Sequence, residues 1–311
     1  MIAVLATVIP IFALIFAGWI SMRLGIFGPH ATRELNRFVV HLALPALLFG
    51  IVANAEWHEI WQPGFIASFG LGCFLVFGIA LGVHLARGGH LADAAIDGLN
   101  ASYANTGFVG FPLALAVVGP ASLAPTLVAT IITVCVLFAV ALLLVEASLH
   151  TSLGPRRLLK VVLISLIKNP LLVAPVLGAI VLVSGVPVPG PMDSFLKLLG
   201  TAASPCALVA LGLFLAGDRP APTTSHLEIG WLVGMKLLLQ PAATWVLAAW
   251  VFRLSPPLTH LAVLLAALPT GTGSFMIAEY YQRRETVTAQ AVTMSTIVSV
   301  VSLTLYLTLV P

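Results

Sequence analysis

The residues best equipped for chemistry stand in two short stretches, each inside a long apolar run. The first is Asn100 to Leu113, N-A-S-Y-A-N-T-G-F-V-G-F-P-L, which gathers Asn100, Asn105, Thr106, Gly107, Gly110 and Pro112. The second is Leu268-Pro269-Thr270-Gly271-Thr272-Gly273-Ser274. Asn105 offers donors and acceptors on one amide, so it suits a substrate carboxylate beside exposed backbone; the alternative is that it caps a helix. Glycine and proline interrupt helical hydrogen bonding, and in lipid each freed backbone group costs several kcal/mol unless protein or water satisfies it. One such break is also what a proline-kinked packing helix gives, since both residues are commoner in membrane helices than in soluble ones. A second break in a matching place favours a cavity.

Few charged residues lie near these stretches. Lys236 stands about nine residues into its apolar run, close to the bilayer centre, where a lone lysine costs about 2.5–3.5 kcal/mol. It serves either as a fixed positive charge for an anion or as the partner of a carbonyl or acid. Glu279 suits a proton or a cation, although Arg283 four residues on predicts an ordinary helix pair. Asn100 and His41 are the other coupling-ion candidates, a satisfied interior histidine being the alternative for His41. Glu146 is open in the same way as Glu279, and His84 and His90 read as interfacial. Asp193 and Lys197 predict a local ion pair. The hydroxyl rows Thr126, Thr130, Thr133 and Ser295, Ser299, Ser302, like Gly78 and Gly82, predict close helix packing, a substrate role being the alternative for the hydroxyls. Cys73, Cys135 and Cys206 lie in apolar segments without ligand or disulfide spacing and read as small core residues.

The elements that carry these residues follow from composition. Of 311 residues, 60% are hydrophobic and 8% charged, far below the quarter charged in a soluble domain. The chain is therefore an all-α polytopic membrane protein. At roughly 20 residues per span it predicts ten transmembrane helices, at about 2–22, 35–54, 63–86, 95–118, 123–148, 160–183, 192–216, 227–252, 258–281 and 286–310. Arg23, Arg33, Arg37, Arg87, Arg156, Arg157, Lys160, Arg219, Arg283 and Arg284 fall at odd-numbered loops, and only Arg253 at the others. Odd loops then face the cytoplasm and both termini lie outside it.

Ten spans with both ends on one side divide into two halves of five, and an odd number makes the halves inverted. The division is 1–148, a linker at 149–159, and 160–311. Weak echoes support it: Pro45 in span 2 with Pro205 in span 7, Thr130 and Thr133 in span 5 with Thr293 and Thr296 in span 10, and the two breaks in spans 4 and 9. Each break lies about 15 Å deep at 1.5 Å per residue, near the midplane. Paired discontinuous helices at corresponding places in two repeats point to a transporter's binding site. Half-helix N-termini there suit an anion such as a carboxylate.

At these residues the sequence resembles the auxin efflux carrier family, which includes bacterial malonate-type carriers and the plant PIN proteins. The matching pieces are N-T-G-F-V-G-F-P-L in span 4, K-x-x-x-x-P from Lys236 to Pro241, and P-T-G-x-x-S-F-x-x-A-E-x-Y from Pro269 to Tyr281. The resemblance covers essentially the whole chain. It implies the fold of bile-acid sodium symporters, a panel domain moving against a core domain in which discontinuous helices 4 and 9 cross. The family often carries Asn after the span-9 glycine, where this chain has Thr272-Gly273.

The expected function is secondary transport of a small organic anion, auxin-like or dicarboxylic, by alternating access. Its site would comprise Asn105, Thr106, Gly107, Gly110 and Pro112 with Pro269, Thr270, Gly271, Thr272, Gly273, Ser274 and Lys236. Sodium- or proton-coupled symport is the alternative. A membrane enzyme is the distant one, because no H-E-x-x-H, clustered aspartates or Cys/His set occurs. No Walker motif points to ATP, so neither cofactor nor metal is expected. A net charge of +3 calls for no nucleic acid. The expected surroundings are the lipid of a bacterial inner membrane, and the sequence leaves a homodimer open.

Overall fold

The computed structural model describes residues 2–28, 30–149, 164, 168, 170–217 and 226–309, and every regular element in it is helical. Apart from a single turn at Trp57–Ile60, these are in chain order α1 (Ile2–Arg23), α2 (Ala31–Ala53), α3 (Pro63–Ala86), α4 (Leu91–Ser102), α5 (Thr106–Val118), α6 (Pro120–Leu149), α7 (Pro170–Ser184), α8 (Gly190–Ala216), α9 (His226–Val251), α10 (Pro256–Ala266), α11 (Gly273–Tyr280) and α12 (Glu285–Leu309). Six of them, α2, α3, α6, α8, α9 and α12, are long and apolar enough to cross a membrane. Apolar side chains also face outward, Ile180 at 59%, Trp250 at 67% and Leu198 at 76% exposure, as expected of helices that are hydrophobic on all sides. Residues 150–159 of the expected linker, with Arg156 and Arg157, lie outside the described residues, as do Lys160 and Arg219.

Three prolines account for much of the irregularity in the long helices. A proline donates no hydrogen bond and its ring presses on the carbonyl four residues back, so a helix that continues past it must adjust locally. Pro45, Pro112 and Pro241 each follow a π-helical turn by two residues, the turns being Val39–Ala43, Thr106–Gly110 and Met235–Leu239. Such turns re-satisfy freed backbone groups within an apolar surrounding. Two further π turns, Ile132–Leu137 and Leu247–Val251, have no proline behind them, and nothing in the structure explains those.

The chain folds as two compact units, each drawing on both halves of the sequence. The first comprises Met1–Gln62, Gly107–Val128 and Ile167–Asp218; the second comprises Pro63–Thr106, Ala129–Leu166 and Arg219–Pro311. In the first unit α1 and α8 meet backbone to backbone. A Cβ on Gly18 would stand 2.2 Å from the Val209 carbonyl oxygen, and one on Gly212 1.9 Å from that of Ile15. Small residues at a helix contact allow this approach. The expected pair of Lys197 and Asp193 forms in α8, at 2.6 Å.

In the second unit Val76 and Ala80 of α3, Ala101 of α4, Leu232 and Met235 of α9 and Val287 of α12 form one buried cluster. Phe65 and Phe69 of α3 stack on each other, fully buried, with ring centroids 6.1 Å apart. The packing expected at Gly78 and Gly82 does not occur: both are exposed, and no heavy atom stands within 4 Å of where a Cβ would be. Gly72, on another side of α3, makes the close approach instead, toward Thr244 of α9.

Candidate functional site

Helix α4 is 12 residues long and α10 is 11, so at 1.5 Å per residue they extend about 18 and 16 Å, half of a ~30 Å hydrocarbon layer. Both stop where the sequence places its breaks, at Ser102 and Ala266. The chain between α4 and α5 is extended, Tyr103 having φ −80° and ψ 92°. It lies antiparallel to the segment between α10 and α11. The Asn105 N–H donates to the Pro269 carbonyl and the Gly271 N–H to the Tyr103 carbonyl, each at 2.9 Å, and Ala104 pairs with Thr270 between them. The two broken helices therefore cross through backbone hydrogen bonds, which satisfies groups that the breaks leave free.

Polar side chains complete the crossing. Thr270 donates its hydroxyl to the Asn100 carbonyl at 2.8 Å and its N–H to Ser295 Oγ at 3.0 Å. Asn100 Nδ2 donates to Thr288 Oγ1 at 3.0 Å. Thr106 and Thr133 share a hydroxyl hydrogen bond at 3.0 Å, and Ser274 Oγ donates to the Gly271 carbonyl at 3.0 Å. Asn100, Asn105, Thr106, Thr270 and Ser274 are all buried. Gly107, Gly110 and Pro112 follow in the π turn and first residues of α5, which enter the first unit.

The glycines of the second break have a steric cause. A Cβ on Gly271 would stand 2.8 Å from the Tyr103 ring, and one on Gly273 2.4 Å from the Tyr103 hydroxyl oxygen. Tyr103 is itself buried and tilted against Phe138 at 6.3 Å. The sequence marks Gly271 and Gly273 as shaping residues, and the aromatic ring across the crossing is what they make room for.

Lys236 meets a backbone carbonyl, one of the partners expected for it. Its Nζ donates to the Ala266 carbonyl at 2.7 Å, and the side chain is fully buried. One turn further along α9, Gln240 Nε2 donates to the Ser102 carbonyl at 2.9 Å and to Cys73 Sγ at 3.2 Å.

At the end of α4 away from the break, the expected pair of Glu279 with Arg283 is replaced by another. Arg283 holds Asp93 with two hydrogen bonds, Nε to Oδ1 at 2.7 Å and Nη2 to Oδ2 at 2.6 Å, while Glu279 is exposed. Arg284 bonds Asp97 at 3.1 and 2.8 Å and also bonds Glu228; His84 Nδ1 stands 2.7 Å from Asp97 Oδ2. The turn geometry makes these pairs possible: Gln282 and Arg284 have φ of 52° and 56°, so Arg283 and Arg284 leave the end of α11 toward α4. Ligand atoms of His84, Asp97 and Glu228 lie within 4.8 Å of one another, and Arg284 bonds both carboxylates, its single positive charge offsetting one of their two negative charges. Glu146 accepts from the Tyr281 hydroxyl. His41 is exposed, not interior, and its Nδ1 stands 3.2 Å from the Arg37 carbonyl.

Sequence reasoning missed Gln240 and Thr288 at the crossing and favoured helix packing over a substrate role for Thr133 and Ser295. The available signals were the hydroxyl rows containing Thr133 and Ser295 and the Gln240-Pro241 dipeptide in the middle of an apolar run.

Apolar helices, two of them interrupted and crossing through their own backbone with polar side chains around the crossing, define a membrane transporter. The chain belongs to the membrane transport protein family, the auxin efflux carriers, whose model matches residues 3–307. It is 30% identical over 299 residues to a Rhizobium meliloti protein named "Putative malonate transporter", covering 96% of this chain and 92% of that one. It is 29% identical over 280 residues to the Escherichia coli "Uncharacterized transporter YfdV", covering 88% and 87% of the two chains. With "Auxin efflux carrier component 8" of Arabidopsis thaliana it shares 27% identity over 333 residues, covering 89% of each chain. The protein is an integral membrane transporter and not an enzyme.

Proposed function

We propose that this protein is a secondary carrier that moves a small organic anion, dicarboxylic or auxin-like, by alternating access, with the anion held at the crossing. The observation that carries the proposal is which helix ends meet there. Helices α4 and α10 end at the crossing, and their terminal carbonyls at Ser102 and Ala266 already accept from Gln240 and Lys236. Helices α5 and α11 begin there. A helix start carries about half a positive elementary charge and unpaired N–H groups, which favour an anion. Asn105 supplies the side-chain contact, and Thr106, Gly107, Gly110 and Pro112 with Pro269 to Ser274 shape the site. The names of the malonate and auxin relatives agree with a carboxylate.

The proposal includes ten spans, with α4 and α5 forming the fourth and α10 and α11 the ninth, in inverted halves 1–148 and 160–311 joined by 149–159. Both termini lie outside the cytoplasm of a bacterial cell, with the protein in the inner membrane. The distribution of arginines supports this orientation.

A second reading, ion-coupled symport, is favoured by Asn100. Its Oδ1 is buried and has no hydrogen-bond partner among the described residues, and a neutral oxygen so placed suits a sodium ion. One experiment separates the two. Thermal stability of the purified protein is measured across mono- and dicarboxylates, indole acids and bile acids, with and without sodium and at two pH values. A ligand that binds the native state raises stability by mass action, about 2.7 kcal/mol at a hundredfold excess over Kd. A sodium-independent rise with one acid class, lost in Asn105→Ala, is the expected result. A rise only with sodium selects the symporter, and no rise with any acid refutes the anion assignment.

A further inference from the structure

Helix α9 reaches both breaks. Lys236 and Gln240 are four residues apart on it, both fully buried, and each donates to the last carbonyl of a broken helix: Lys236 to Ala266 of α10, Gln240 to Ser102 of α4. A helix that ends at a membrane surface leaves its terminal carbonyls to water. Ser102 and Ala266 are themselves fully buried, so protein must supply the donors. The amide of Gln240 is oriented by this duty, since a carbonyl accepts only from its NH2 side. The π turn Met235–Leu239 contains Lys236 and ends just before Gln240, with Pro241 immediately behind.

The charges are matched as well as the hydrogen bonds. Each helix C-terminus carries about half a negative elementary charge, so two of them amount to about one, which a single ammonium offsets. No acid bonds Lys236 among the described residues; its hydrogen bond is the one to the end of α10. A buried lysine whose hydrogen-bond partner is a helix end, not a carboxylate, is fixed in place by where that end is.

We propose that Lys236 and Gln240 are the positioning residues of the crossing: α9 caps both interrupted helices from one side, holds their ends in register and cancels their negative poles. Lys236 then acts on the substrate site through α10 and does not itself touch the anion. The electrostatic consequence, a crossing left with the positive helix starts uncancelled, rests on the anion reading given above. The mechanical part does not.

The test uses the full-length protein, purified and without any added organic anion, so it is independent of which substrate the carrier takes. Hydrogen–deuterium exchange is followed in peptides covering 103–106 and 267–272 in wild type, Lys236→Met, Lys236→Arg and Gln240→Met. Losing the donor to a buried carbonyl loosens the amides held beyond it. Lys236→Met is expected to raise exchange about tenfold in 267–272, and Gln240→Met about tenfold in 103–106, with exchange in α1 and α8 unchanged. Lys236→Arg, which keeps a cationic donor, retains protection within about threefold of wild type. Exchange at both breaks within twofold of wild type in both methionine variants overturns the proposal. So does an increase spread evenly over all helices, or an arginine variant no better protected than the methionine one. If Lys236→Met does not fold, Gln240→Met, which removes no charge, decides the matter alone.

Discussion

Tyr103 and Gly273 show how little room the crossing has. A single methyl at Gly273 meets the Tyr103 hydroxyl oxygen at 2.4 Å and its ring carbons at 2.6 and 2.9 Å. The ring cannot yield easily, because it is buried against Phe138. Gly273→Ala is therefore expected to cost about 1–3 kcal/mol, the range for overpacking a tight interior. Thermal denaturation of the purified variant measures it. Adding Tyr103→Leu should recover most of the loss, and a double variant no more stable than Gly273→Ala would show that the ring is not the obstacle. The glycines were visible in the sequence as breakers. Their partner was not, because an aromatic residue beside a break is equally consistent with facing lipid.

Between elements, the ends of α4 are held by different means. Its break end is bound through backbone to the segment before α11 and through Gln240 to α9; its other end is bound through Asp93 and Asp97 to Arg283 and Arg284. Successive arginines reach carboxylates one helical turn apart because two residues of the turn adopt left-handed backbone, which costs about 1–2 kcal/mol each. Arg284 bridges Asp97 and Glu228, and the Asp97 side chain is only 4% exposed. Arg284→Met leaves that carboxylate buried without its guanidinium. The expected loss is about 3 kcal/mol, the lower end for a buried pair that loses one member, read as a lowered denaturation midpoint. Asp97→Asn in the same chain should restore part of it; no recovery would mean the arginine acts by packing alone. Sequence spacing favoured Glu279 for Arg283 because both lie on one helix. The helix ends at Tyr280, and past a helix end the i, i+4 rule has no force.

For the whole molecule, the sequence made the membrane class and both interruptions legible, since apolar length and Gly/Pro punctuation are local properties. The pairing of Ala104 with Thr270 and the reach of Lys236 and Gln240 join residues from about 30 to more than 160 positions apart, and no local pattern specifies those. The same limit applies to the hydroxyl rows, whose spacing says they share a helix face but not that Thr133 meets Thr106 or that Ser295 meets Thr270. These contacts bind the last carbonyls of α4 and α10 at the crossing, where α5 and α11 contribute their positive starts. The central claim is that those starts, with Asn105, hold a transported carboxylate. Its most direct test is solute counterflow in proteoliposomes preloaded with unlabelled malonate or indole-3-acetate, following entry of the same labelled acid. Wild-type protein should show a transient overshoot with one of them, and Asn105→Ala, inserted to the same level, should not. An equal overshoot in both proteins would contradict the claim by removing Asn105 from the path.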